Sequence, residues 1–524
     1  MLAYAGAPTL TAANAYTAAH APCAYLIAPL RAPEAQQMTH SALEEMLEVE
    51  GREVLRRLLQ AHLDERTPGT ATEPVIGTDK NPHTHQRLHT RHLMTIFGEV
   101  EVTRAGYGGR GTPSLHPLDA ALHLPPEHSS HSVRHRVAVE AAKPAFDDVV
   151  ATITTTTGAH VPKRQAEQLV ERAAQDFAAF YGTRCCATPQ EAQRTSSVLV
   201  LSVDGKGVPL RKADLREETR KAAEGQQSTR DHRRRPGERA HTKRMATVAA
   251  VYTIPPWIRT PDEIVRELQP THAGASARPR PEAKRVWASL TQSPAEVIQQ
   301  AFEEAGRRDP QRTKQWVALV DGAPTQLALV DAAAAAAGVT LCIVLDLIHV
   351  LQSLWKAARA LHPAGAPDAE PWVTARLEQL LRGRSQYVAA GIRRSATLRH
   401  LTEEQRAPVD QCANYLLKYA DFLHYDAYLA AGFPMATGVI EGACRYLVKD
   451  RMEVTGARWS LEGAEAVLRV RSLWVSGDFE AYWGFHLEQE HKRHHTMHYA
   501  DGKVPEPRLP PERQGKGAHL RLIK

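Results

Sequence analysis

Three short apolar runs rich in β-branched residues each end in an aspartate. They are "VLVLSVDG" closing on Asp204, "WVALVDG" on Asp321 and "LCIVLDLIH" on Asp346. No other feature restricts the chain as much. Runs this short, set between helical stretches, read as strands of a buried sheet flanked by helices. A fourth run, "MATVAAVYTI" (245–254), has the same texture without the acid, and residues 282–308 read as helical. One Asp-Gly after a strand is a common turn and carries little by itself. Three strand-ending aspartates, followed by one carboxylate on a later helix, carry more.

That later carboxylate is Glu441, in "TGVIEGACRYLVKDRM" (437–452). The segment reads as a helix with a small-residue entry (Gly438, Gly442, Ala443) and a basic far end (Arg445, Lys449, Arg451). Arg445 stands four residues after Glu441, on the same face of a regular helix, where it would pair with Glu441 or with a DNA phosphate. Carboxylates from strand ends and one helix suit hard divalent cations, which take oxygen ligands and keep several waters. Such a site holds two Mg²⁺ about 3.5–4 Å apart, one activating a water or hydroxyl and the other stabilising the leaving oxygen.

The N-terminal half has a different texture. Residues 35–66 have helical periodicity, with Leu43, Met46, Leu47, Val54, Leu55, Leu58 and Leu59 in one stripe. "HLMTIFGEVEVTRAGYGG" reads as a short hairpin. Residues 131–181 read as a helix, a turn at Gly158 and a second helix opening near Pro162 with Lys163, Arg164 and Gln165 in its first turn. That is the pattern of a helix-turn-helix that places these side chains in the DNA major groove; a plain helical hairpin is the alternative. Histidines crowd residues 83–135 in no standard zinc spacing and read as solvated or phosphate-contacting. The net charge of +6 is modest, so its distribution matters more than its sum. It concentrates in the insert holding Arg233, Arg234 and Arg235, flanked by Lys243 and Arg244, and again at Lys449, Arg451 and Arg458. These are candidate DNA-phosphate contacts. The six cysteines form no C-x-x-C pair, no apolar run is long enough to span a bilayer, and the start lacks a basic leader. The expectation is a reduced protein in the cytoplasm, associated with the nucleoid.

Several longer motifs in order carry a resemblance. "SVDGKGVPLR", "KRMATVAAVY", "RTPDEIV", "RRDPQRTKQWVALVDG", "LDLIHVLQSLWKAA" and "GVIEGACRYLVKDRMEVTGARWSLEGAEAVLRVRSLW" together resemble the ISKra-type insertion-sequence transposases, which look related to the Mutator-type transposases. The resemblance spans about residues 88 to 490. It implies an Asp-Asp-Glu site of catalytic, metal-binding carboxylates at Asp204, Asp321 and Glu441, on a ribonuclease H-like fold. Asp346 and His349 match the family's [Cys/Asp]-x-x-His motif, near the site as accessory residues. Asp346 remains the alternative to Asp321 as second ligand, since both end strands.

The implied organisation is a mixed α+β and α/β chain. An Ala-rich extension (1–34) precedes a helical and hairpin region (35–130) and a helix-turn-helix-like region (131–195). Then come the first part of a ribonuclease H-like core (196–350), an all-helical insertion (351–435), the C-terminal core helices (436–490) and a basic disordered tail (491–524). The implied activity is DNA transposition: hydrolysis at the element's terminal inverted repeats, then transfer of the 3′-hydroxyl into target DNA. It would run with Mg²⁺, Mn²⁺ substituting, in a homodimer or larger assembly that joins two ends. A domesticated DNA-binding protein and a non-mobile endonuclease of the same fold are the alternatives.

Overall fold

The computed structural model describes residues 26–28, 30–66, 68–109, 111–143, 145–225, 242–267, 278–363, 365–454 and 456–508. Arg233, Arg234 and Arg235, most of the Ala-rich extension and the end of the basic tail lie outside the described residues. The chain forms two compact units. One comprises residues 1–176 and 480–524; the other is Phe177–Phe479.

In the first unit the long helix α1 (His40–Arg66) precedes an antiparallel hairpin of β1 (His85–Thr95) and β2 (Gly98–Gly109), to which β3 (Thr112–Leu115) adds a third strand. Of the expected α1 stripe, Val54 is buried, whereas Leu47, Leu55 and Leu58 are exposed. Helices α2 (His131–Ala141), α3 (Phe146–Thr156) and α4 (Lys163–Ala173) follow. Pro162 is the N-cap of α4, one position earlier than expected. Ala166, Leu169, Val170 and Ala173 form the buried face of α4, at helical spacing. Residues 491–508, expected as unstructured tail, continue a helix through His494 and bring Tyr499 into a cluster with Val75, Ala105, Tyr107 and Leu115.

The second unit is built on a mixed five-stranded sheet flanked by helices. Its strands are β4 (Val198–Pro209), β5 (Lys243–Ile254), β6 (Glu282–Ser289), β7 (Gln315–Val320) and β8 (Leu341–Leu345). Their spatial order is β6-β5-β4-β7-β8; β4 pairs antiparallel with β5 and parallel with β7, and β7 parallel with β8. β7 is buried from Trp316 to Val320, and β4 from Val198 to Val203, as strands covered on both faces must be. Strand β6 lies where helix was expected. Its residues "EAKRVWAS" mix good helix formers with a short apolar core, and as an edge strand it leaves Glu282 and Ala283 exposed. Helix α5 (Pro294–Arg308) starts only after it, at a Ser293–Glu296 capping box with Pro294 in the first turn. Helix α6 (Pro324–Ala337) then connects β7 to β8.

After β8 the chain is helical: α7 (Leu347–Leu361), α8 (Ala369–Leu381), α9 (Ser385–Leu398) and α10 (Glu403–Lys418). Leu354, Leu380, Ile392 and Leu416 are fully buried among them. Three tyrosines of this block clamp the ends of the strands. The Tyr419 hydroxyl donates to the Gly322 carbonyl (2.6 Å), Tyr425 to Leu345 (2.8 Å) and Tyr428 to Ile343 (3.1 Å). The last helices of the unit are α11, starting at Gly438, and α12 (Leu461–Ser476). No helix among the described residues is long and apolar enough to cross a membrane.

Candidate metal centre

The three aspartates share one register row, but only Asp321 and Asp346 follow strand ends; Asp204, expected to end its strand, lies inside β4, which runs on to Pro209 paired with β5. Ser202 of β4 pairs with Leu319 of β7, and Leu319 with Val344 of β8. Two residues beyond each of these stand Asp204, Asp321 and Asp346. Adjacent strands lie about 4.8 Å apart, so the row sets three carboxylates side by side at the C-terminal edge of the parallel strands.

Each aspartate is held differently. Asp346 is completely buried and is the N-cap of α7. Its Oδ1 accepts from the backbone N–H groups of Ile348 (3.0 Å) and Thr437 (3.4 Å). Its Oδ2 receives the Thr437 hydroxyl (2.6 Å) and lies 2.7 Å from His349 Nδ1. Thr437 immediately precedes α11, so this one carboxylate ties β8, α7 and the entry of the Glu441 helix together. Asp321 is partly exposed, and its Oδ1 accepts from Ala323 N–H (2.9 Å). Gly322 after it has φ +91°, and a Cβ there would meet Leu345 Cδ1 at 2.9 Å, so the turn requires glycine. Asp204 accepts from Gly205 N–H (2.6 Å) and, through Oδ2, from the Cys444 thiol (3.4 Å).

Glu441 is exposed, and its helix packs on β4 and β5. From Gly438 to Ala443 this helix is α; from Cys444 to Lys449 it widens to a π-helix, then closes as α through Met452. Such π-bulges occur frequently at functional sites. The bulge changes the expected phase: Arg445 reaches Asp450 (3.9 Å) and makes no pair with Glu441. Of the small residues at the entry, Ala443 is buried and Gly442 faces Tyr446, while Gly438 has open space where a Cβ would be.

One oxygen or nitrogen each from Asp346, His349 and Glu441 lie within 4.8 Å of one another, so this group could hold a metal ion. The expected set was Asp204, Asp321 and Glu441. Glu441 groups with the Asp-x-x-His pair, and Thr437, just before its helix, donates its hydroxyl to Asp346. Asp204, two strands away on β4, accepts from Cys444 of the Glu441 helix, whose thiol is pushed well up by burial, then by the Asp204 charge and, more weakly, by Glu441. Asp321 stands in the row between Asp204 and Asp346.

The donor chemistry suits a cation. Among the described residues no Lys or Arg is ion-paired to Asp204, Asp321, Asp346 or Glu441. His349 Nδ1 faces Asp346, which orients the ring and leaves Nε2 for a ligand, the usual second-shell arrangement of a metal-binding histidine. The Tyr415 hydroxyl is buried without a hydrogen-bond partner among the described residues. Burial raises its pKa, followed by Tyr419, Asp321 and Asp346. A buried, unpartnered donor beside two carboxylates suits a site completed by an ion and its waters. Thr437, Cys444 and Tyr415 went unrecognised in the sequence; only Thr437, at the helix entry, carried a local signal.

The expected DNA contacts divide by exposure. Arg164 and Gln165 are exposed at the start of α4; Lys163, also exposed, pairs with Asp147 (2.8 Å). Lys449 and Arg458 are exposed. Lys243 pairs with Glu453 (2.7 Å), and Arg244 donates to the Leu290 carbonyl (3.0 Å). Arg451 departs from expectation: it is buried, with its guanidinium 4.8 Å from the Trp459 ring, and belongs to the packing. No protein-family model matches the chain, and no curated protein matches it.

Proposed function

We propose that the chain is a DNA transposase of the ISKra type with a ribonuclease H-like catalytic core. It would cleave phosphodiesters at the ends of an insertion sequence and transfer the freed 3′-hydroxyl to target DNA. The carrying observation is the row of Asp204, Asp321 and Asp346 where the parallel β4-β7-β8 pairing ends, with Glu441 grouped with Asp346 and no Lys or Arg ion-paired to them among the described residues. The sheet order, an antiparallel β6-β5-β4 followed by parallel β7 and β8, supports the fold reading.

In this reading Asp204, Asp321 and Glu441 hold Mg²⁺, Mn²⁺ substituting, with Asp346 and His349 adjoining. When bound, the ions supply Lewis-acid activation of a water or 3′-hydroxyl and offset the charge of the scissile phosphate. Asp346 fixes the ring of His349 and the entry of the Glu441 helix together. Tyr419 and Tyr425 hold the strand ends still by their carbonyls, keeping the carboxylates in one geometry. Arg164 and Gln165 present donors suited to base edges, and Lys449 and Arg458 suit phosphates. Joining two ends calls for a homodimer or larger assembly.

The test is cleavage of the DNA flanking the gene by purified protein, with Mg²⁺ or Mn²⁺. Nicking at inverted repeats, followed by joining, is expected from the wild type and absent from Asp204→Asn. Nicking without joining points to a nuclease of the same site. Undiminished activity in Asp204→Asn removes the assignment.

A further inference from the structure

A second cleft in the sheet unit, of 530 Å³, lies away from the carboxylates. Its walls come from the N-terminal approach to β4, the end of β5, the start of β6 and the last turn of α5. Val248 of β5 pairs with Asp204, and Thr253 in the cleft wall stands five residues further along β5. At the rise of a β-strand that is roughly 17 Å from the metal row.

Its charge is out of balance. Arg285, Arg307 and Arg308 converge on the single carboxylate of Glu304, at 2.6, 3.3 and 2.7 Å. The other two acids of the wall are engaged: Asp478 by Arg184 and the Tyr181 hydroxyl, and Glu191 by Thr188. Arg285 is 4% exposed, sandwiched between the Tyr181 and Trp287 rings. Three buried donors have no partner among the described residues: Arg285 Nε, Arg307 Nε and the hydroxyl of Thr253, itself 1% exposed. Buried donors are paired in more than nine cases in ten, and arginines already satisfied by one carboxylate would leave none over. Surplus guanidinium charge with unspent N–H and O–H donors in one cleft matches an oxyanion with several acceptor oxygens.

We infer that this cleft binds a phosphate or diphosphate group. The phosphate comes either from a DNA backbone or from a free phosphorylated small molecule. The inference does not rest on the transposase reading, since none of its residues belongs to the metal centre.

The experiment is calorimetric titration of the full chain, depleted of divalent metal on chelating resin, with inorganic pyrophosphate. Saturable binding is expected, weakened about tenfold or more by Arg307→Gln and by Thr253→Val, each removing a donor to the anion. Asp204→Asn should bind as the wild type does. Arg307 keeps about a quarter of its side chain exposed (23%), so its variant should fold even if changes at Arg285 do not. A short DNA duplex that displaces pyrophosphate assigns the cleft to DNA phosphates. A duplex that leaves it bound assigns the cleft to a small phosphorylated ligand. Absence of binding, or equal binding by wild type, Arg307→Gln and Thr253→Val, overturns the inference.

Discussion

Buried and half-buried acids of the first unit and the acids beside β4, β7 and β8 of the second are treated in opposite ways. In the first, each is matched. Arg134, fully buried, forks onto Glu490, with Nη2–Oε1 at 2.6 Å. Asp176 is held by His486 (2.7 Å) and Arg493 (2.6 Å), and Asp119 by Arg104 (2.6 Å) with Arg91 further off. Where the parallel pairing of β4, β7 and β8 ends, Asp346 and Glu441 gather with His349, Asp204 and Asp321 stand along the same row, and among the described residues no arginine or lysine is ion-paired to any of them. A matched acid stabilises packing and needs nothing more. Convergent acids without cationic partners repel one another unless a cation sits among them, and the mismatch is what the proposed metal site explains.

The comparison breaks most visibly at its unmatched side. Asp204→Asn and Glu441→Gln should each lower metal-dependent DNA cleavage by about 10³-fold or more, several kcal/mol of transition-state stabilisation. In metal-free buffer their melting temperatures should equal or slightly exceed the wild type, because one of several like charges is gone. A large loss of stability in these variants would mean that the acids are structural.

On the matched side the effect falls on folding. Arg134→Met leaves Glu490 buried and unpaired and should destabilise the first unit by about 3–5 kcal/mol in urea unfolding. Arg134→Met combined with Glu490→Leu should recover most of that loss, which a merely steric role for Arg134 would not allow.

Acid should also separate the units. Burial, aided by neighbouring cations, pushes His116 and His495 down to about 4 and His131 to about 3. These rings are neutral when folded but take up protons near pH 6.5 when unfolded, so the unfolded state binds more protons below that pH. Their contribution is intact above about pH 6.5 and is lost as pH falls towards 4. Hydrogen-exchange protection across α2 and residues 480–500 should fade over that window ahead of β4 and β7. Equal fading in the two units would contradict the assignment.

The smallest effects concern the exposed cations. Arg458→Gln should reduce the slope of log K against log salt for non-specific DNA binding by about one. Arg451→Gln should leave that slope unchanged and lower stability, since Arg451 is packed over Trp459.

Much of the strand skeleton was legible because β4, β5, β7 and β8 are apolar runs of strand length. The acids closing the β4, β7 and β8 runs in the sequence stood out for the same reason. Strand β6 was hidden because Glu, Ala, Lys and Arg in "EAKRVWAS" suit a helix, and only pairing with β5 makes it a strand. The link from Asp346 to His349 is local, three residues apart, and could be read. The link from Asp346 to Thr437, ninety-one residues on, could not, and it draws Glu441 towards that pair. The partner of Arg445 was misplaced because a regular helical phase was assumed through a segment that folds as a π-helix. The crowded histidines read in the sequence as solvated or phosphate-contacting. His83 is buried, and His116 and His131 are largely enclosed by contacts distant in sequence.

The central claim is that the unmatched carboxylates form a metal site. It is tested most directly by titrating metal-free protein with Mn²⁺ and comparing wild type with Glu441→Gln and His349→Ala. The account predicts saturable binding by the wild type, weakened about tenfold or more in each variant, as loss of a ligand or its support does elsewhere. Binding of equal strength in all three proteins, or none in the wild type, would contradict it.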